Sequence, residues 1–171
     1  LLEKLDKILG APFMMTHDAT FAYAECAQRC AGRLDFRVGE DPSTCMFAET
    51  RLVEHPMWWP LVKMLLGGSS CKLLYAGVVY SYPVDMPVDL SWHHDGPALF
   101  TEAESQRLPA HALNVMVPLC DVCEAVGPTE YCPATHFADH DAEAIGPHSG
   151  ATVHFCENGG RLEAGSATIF D

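Results

Sequence analysis

Two histidines and an aspartate stand side by side in SWHHDGP, Ser91 to Pro97. Their spacing is what gives them chemical interest. On an extended strand, successive side chains point to opposite faces. A strand over 90–95 would put His93 and Asp95 on one face, and Trp92 and His94 on the other. One imidazole and one carboxylate would then share a small volume. They are two of the three ligands of a 2-His-1-carboxylate site, a set that suits non-haem Fe(II). Gly96-Pro97 would end the strand and leave the pair at a rim open to substrate. His94 would point away, to support or to pack. An H-x-D triplet also arises by chance, and a solvated pair on a surface strand satisfies the same spacing.

No other motif competes with this one. The chain has no G-x-S-x-G, no P-loop and no H-E-x-x-H. GGSSC is a Gly/Ser loop without the P-loop lysine. The remaining histidines considered as ligands, His111, His136, His140, His148 and His154, read by default as structural or surface residues. Eight cysteines are present. Reduced thiols are the favoured reading, because no export signal is visible and Cys45 and Cys71 lie inside apolar runs. Cys120 and Cys123 form a single C-x-x-C. A structural zinc site would need a second pair, for which Cys132 and Cys156 are the available residues.

The elements that must carry these residues follow from periodicity. LLEKLDKIL places Leu1, Leu2, Leu5, Ile8 and Leu9 on one helical stripe. The Ala-rich TFAYAECAQRCAGR predicts a second helix ending near Gly32. LDFRVGEDPS predicts a short strand and then a turn. AETRLVEHPMWWPLVKMLLGG predicts helix, with Pro60 opening a last segment and Gly67-Gly68 stopping it. Leu61, Val62, Leu65 and Leu66 give that segment an apolar face, and Trp58 and Trp59 read as packing residues. From residue 71 the pattern turns to strand: CKLLYAGVVYSYP, LSWHHD, HALNVMVPLCDV, GPTEYCP, and two strands in ATVHFCENGGRLEAGSATIFD around an Asn158-Gly159 turn. Helices first and strands after predict an α+β chain.

Bulk properties narrow the partners. The chain has 171 residues, 49% of them apolar and 19% charged, which is the composition of one globular domain. Its formal charge of −13 disfavours nucleic acid and anionic membrane as partners. The longest apolar runs, about eight residues, fall short of the ~20 that span a bilayer. No targeting signal is seen, so the expectation is a soluble protein of the cytoplasm or an organellar lumen. Oligomeric state is not legible.

The ordered set SWHHDGP, HALNVMVPLCDVCEAVGPTEYCPATHF and GSATIFD resembles the phytanoyl-CoA dioxygenase family of Fe(II)/2-oxoglutarate oxygenases. The parts come in the family's order: W-H-x-D, an apolar strand, GPTEYCPATH where the family often shows N-G-x-x-x-x-P-G-S-H, then a G-D-x-x-x-F-D-like strand. Ala134 and Thr135 replace the usual Gly and Ser. The resemblance covers residues 70–171 best. It implies a double-stranded β-helix (a cupin-like jelly roll) over 71–171, flanked by a mainly helical 1–70. It also implies iron at His93 and Asp95. Asn114 and Met116 would line the co-substrate pocket, and Tyr80 and Tyr82 are similar candidates.

The resemblance further implies a dioxygenase that uses Fe(II), 2-oxoglutarate and O₂ to hydroxylate a small organic substrate, releasing succinate and CO₂. The family's third ligand, a histidine, would fall roughly five residues beyond Asp171 to complete the triad, and the carboxylate-clamping arginine further on. Neither Arg107 nor Arg161 matches the clamp position. The expectation is therefore a single, C-terminally truncated oxygenase domain whose last core strands are missing. The alternative is a non-catalytic jelly-roll binding module or pseudoenzyme.

Overall fold

A computed structural model describes residues 21–22, 26–37, 50–84, 92–93, 95, 99, 104, 108–133 and 160–171. The N-terminal leucine stripe, Cys45, His94, His136, His140, His148, His154 and Cys156 lie outside the described residues, as does the Asn158-Gly159 turn. The chain divides into two compact units, one of Leu1–His55 with Lys72–Leu90, the other of Pro56–Cys71 with Ser91–Asp171.

The first unit holds a four-stranded antiparallel sheet in the order β1 (Phe21–Ala22), β2 (Cys26–Cys30), β3 (Arg33–Arg37), β4 (Gly77–Ser81). Strands therefore stand where TFAYAECAQRCAGR predicts a helix. Alanine favours helix only weakly, and tertiary pairing overrides such a preference. Gly32 does not cap a helix here. It turns a tight hairpin at φ +80°, with Cys30 opposite Arg33. A side chain at that point would crowd the Tyr82 carbonyl and Val84.

Pairing then runs from Arg33 opposite Ser81 to Arg37 opposite Gly77. Its alternation puts Leu34 and Phe36 on the packed face, where they join Cys26, Val78 and Tyr82. Two buried polar residues of this sheet have side-chain partners. Tyr82 Oη donates to the buried Gln28 Oε1 at 3.1 Å, and Arg33 Nε donates to the buried Asp35 Oδ1 at 2.9 Å. A short helix, α1 (Thr50–Val53), belongs to the same unit.

The second unit contains α2 (Trp59–Leu65), with Pro60 in its first turn as expected. Gly68 N donates to Lys63 O at 2.7 Å, and Gly67 has φ +78°, so the helix closes on its glycines. Trp58 and Val62 are its buried residues, while Leu61 and Leu65 are exposed. Trp59 carries the Lys63 ammonium over its ring at 5.7 Å.

Two antiparallel pairs also belong to this unit: β5 (Asn114–Met116) with β8 (Thr168–Phe170), and β6 (Val122–Cys123) with β7 (Arg161–Leu162). Asp121, just before β6, grips the β7–β8 turn. Its Oδ1 accepts from Ala164 N at 2.9 Å and its Oδ2 meets Arg161 Nη1 at 3.3 Å. Gly165, at φ +83°, donates to Pro118 O at 2.9 Å and turns the chain back so that β8 reaches β5. These sheets are small and antiparallel. No helix among the described residues is long and apolar enough to cross a membrane.

The six described cysteines are all free of disulfides. Burial, and secondarily the Asp35 charge, raises the Cys26 thiol above its ordinary value. Cys120 and Cys123 are exposed. Alkylation of the native protein followed by peptide mapping should label Cys120 and Cys123 at least about tenfold faster than Cys26, since only the accessible thiolate reacts.

Candidate metal centre

His93 and Asp95 both lie in the second unit. The strand expected through them is not what brings them together. Trp92 and His93 are in irregular backbone and Asp95 sits in a bend, as an Asp followed by Gly-Pro favours. Their side chains nevertheless converge, with His93 Nε2 3.5 Å from Asp95 Oδ1. Both are solvent-accessible, at 60% and 48% side-chain exposure.

Does that geometry fit a cation? Nitrogen and carboxylate-oxygen ligands bind divalent metals at about 2.0–2.2 Å. Two such bonds meeting at about 90°, as on a six-coordinate ion, span about 3.0 Å, so the pair would have to close by about half an ångström from the observed 3.5 Å to share one ion. Among the described residues, no group of three or more His, Cys, Asp or Glu side chains could hold a metal. Zinc on four cysteines thus has no support from Cys120, Cys123 and Cys132.

Asn114 and Met116, expected to line the co-substrate pocket, both lie on β5. Asn114 pairs with Phe170, and Met116 with Thr168, across β5 and β8. Asn114 is half-buried, and Met116 is 39% exposed. Tyr131, which the sequence did not single out, packs against this ribbon. Its Oη donates to Met116 Sδ at 3.8 Å, and its ring packs on Phe170 with centroids 5.1 Å apart. Burial is the main cause holding the Tyr131 hydroxyl above its ordinary pKa. Hydrogen bonds from Thr168 and Thr129 oppose the rise, and the Asp95 carboxylate adds to it. Tyr131 therefore stays protonated at neutral pH. Only the aromatic in GPTEYCP, on a short run after a Gly-Pro turn, could have signalled it.

Tyr80 and Tyr82 belong to the first unit. They stack on each other at 6.1 Å, and Tyr82 spends its hydroxyl on Gln28. Arg161 is engaged with Asp121 and Glu163.

His93 and Asp95 thus form a convergent, solvent-accessible imidazole–carboxylate pair. The chain matches the family model for phytanoyl-CoA dioxygenase over residues 17–171, and it belongs to that family. The family is one of oxygenases with a cupin-like fold. No curated protein and no solved structure matches the chain.

Proposed function

We propose that this chain is the oxygenase portion of an Fe(II)/2-oxoglutarate-dependent dioxygenase that hydroxylates a small organic substrate. The observation that carries this reading is the 3.5 Å approach of His93 Nε2 to Asp95 Oδ1 in a chain of this family. Its small antiparallel pairs are read as parts of a double-stranded β-helix. Bound Fe(II) would supply O₂ activation coupled to oxidative decarboxylation of 2-oxoglutarate, giving succinate and CO₂.

The chain's own residues have narrower tasks. His93 and Asp95 would supply one neutral and one anionic ligand, so that a divalent ion keeps net positive charge to attract an anionic co-substrate. Asn114 and Met116 would form the wall beside it. Phe170 and the Tyr131 ring would keep that wall apolar and limit water. Varying loops set the identity of the substrate.

The test is 2-oxoglutarate turnover by the full-length protein supplied with Fe(II), ascorbate and O₂, read as succinate. The expected result is succinate formation that requires Fe(II), even without prime substrate, at a slow uncoupled rate. Absence of any Fe(II)-dependent succinate, from protein shown to bind metal through His93 and Asp95, would favour the binding-module reading.

A further inference from the structure

Cys120 and Cys123 bracket Asp121, the residue that ties β6 to the β7–β8 turn. Both thiols are free and exposed, so a small oxidant reaches either one. They are not placed to bond to each other in the fold as it stands. The backbone from Asp121 to Cys123 runs without a bend into β6, where Val122 and Cys123 lie opposite Leu162 and Arg161. Cys123 itself is extended, at φ −129° and ψ 173°. Three residues of extended chain cover roughly 10 Å, whereas a disulfide needs its two Cα atoms within about 7 Å. Bridging the cysteines therefore requires Asp121 and Val122 to fold into a turn. Such a turn is incompatible with strand pairing through Val122 and with the present reach of Asp121. What holds β6 is slight: two residue pairs, the Asp121 carboxylate on the Ala164 amide at 2.9 Å, and an exposed ion pair with Arg161 at 3.3 Å. Val122 and Leu162 are only half-buried, so little apolar surface opposes the opening.

We propose that Cys120 and Cys123 form a redox-sensitive latch: the dithiol keeps β6 on β7, and the disulfide releases it. The oxidant is a small-molecule disulfide, RS–SR. One cysteine thiolate attacks a sulfur of RS–SR, forms a mixed disulfide and expels RS⁻. The second thiolate attacks the protein sulfur of that mixed disulfide, closes the Cys120–Cys123 bond and expels the second RS⁻. Two thiols are oxidised, one RS–SR is reduced to two RSH, and the cysteine protons end on the two RS⁻. Excess RSH reverses both steps. Opening frees the β7–β8 turn from Asp121, the turn after which β8 pairs with β5. The latch requires nothing of His93 and Asp95, so it stands or falls apart from the dioxygenase reading.

The probe is glutathione disulfide in excess over the full-length protein, compared with reduced glutathione. Peptide mapping reads the bond formed, and hydrogen exchange reads the opening. The expected result is a Cys120–Cys123 disulfide with exchange at Ala164 and the β7 amides faster by about tenfold or more, while the β2–β4 amides stay within about twofold. Dithiothreitol should restore the slow exchange. Cys120→Ser and Cys123→Ser both change exposed positions, and each should leave exchange at Ala164 unmoved by the oxidant. A Cys120–Cys123 disulfide that forms with no change at Ala164 would overturn the latch. So would failure of that disulfide to form, whether the thiols stay reduced, retain glutathione or bond to Cys132 instead.

Discussion

Leu34→Ala will lower the stability of the first unit by about 2–5 kcal/mol. Leu34 is fully buried at the centre of β3, against Cys26, Phe36, Val78 and Tyr82. Truncation removes the transfer free energy of three carbons and leaves a cavity that neighbouring strands fill only in part. The sheet resists collapse into that space. Phe36 is held opposite Val78 by the β3–β4 register, and Tyr82 is held by Gln28. Against a typical total of 5–15 kcal/mol, the loss is large enough to populate an opened sheet. Native-state hydrogen exchange at the β2–β4 amides reads it directly and assigns it to this unit. Val79→Ala, on the same sheet but 42% exposed, should change protection by no more than about 0.5 kcal/mol. Equal effects from the two substitutions would mean that Leu34 is not the packing centre.

The sequence was most legible where one signal dominated its neighbourhood. Pro60 and Gly67-Gly68 bracket α2 as their backbone preferences require, and β-branched residues mark β4. It misled in TFAYAECAQRC, where alanine content suggested helix while the decisive interactions were distant. Cys26 faces Phe36, and Gln28 meets Tyr82 54 positions away. Composition cannot report a partner that far along the chain. For the same reason β4, expected among the later strands, pairs with β3 instead.

The candidate site shows a related mixture. H-x-D identified the two residues that converge, yet by way of a bend and not a strand. Spacing specified the pair, and local backbone chemistry supplied the route. Tyr131 escaped notice because its importance lies in its partners, Met116, Thr168 and Phe170, which come from two other segments.

The largest functional effect belongs to the pair itself. An exposed His–Asp ion pair that is only a surface contact is worth roughly 0–1 kcal/mol, and losing it changes little. A pair that ligates one cation behaves differently. Residues that merely support metal ligands cost about 10–100-fold in affinity when mutated, so a ligand must cost at least the upper end of that range. Asp95→Ala also removes the negative charge that offsets the ion. His93→Ala and Asp95→Ala should therefore each weaken metal binding by about a hundredfold or more. Both side chains are well exposed, so fold stability should shift little.

The direct measurement is Mn(II) titration of the full-length protein followed by electron paramagnetic resonance, with wild type, His93→Ala and Asp95→Ala side by side. One equivalent bound by wild type and lost from both variants is the predicted outcome. Equal Mn(II) binding by all three proteins would show that the imidazole and carboxylate meet without holding an ion.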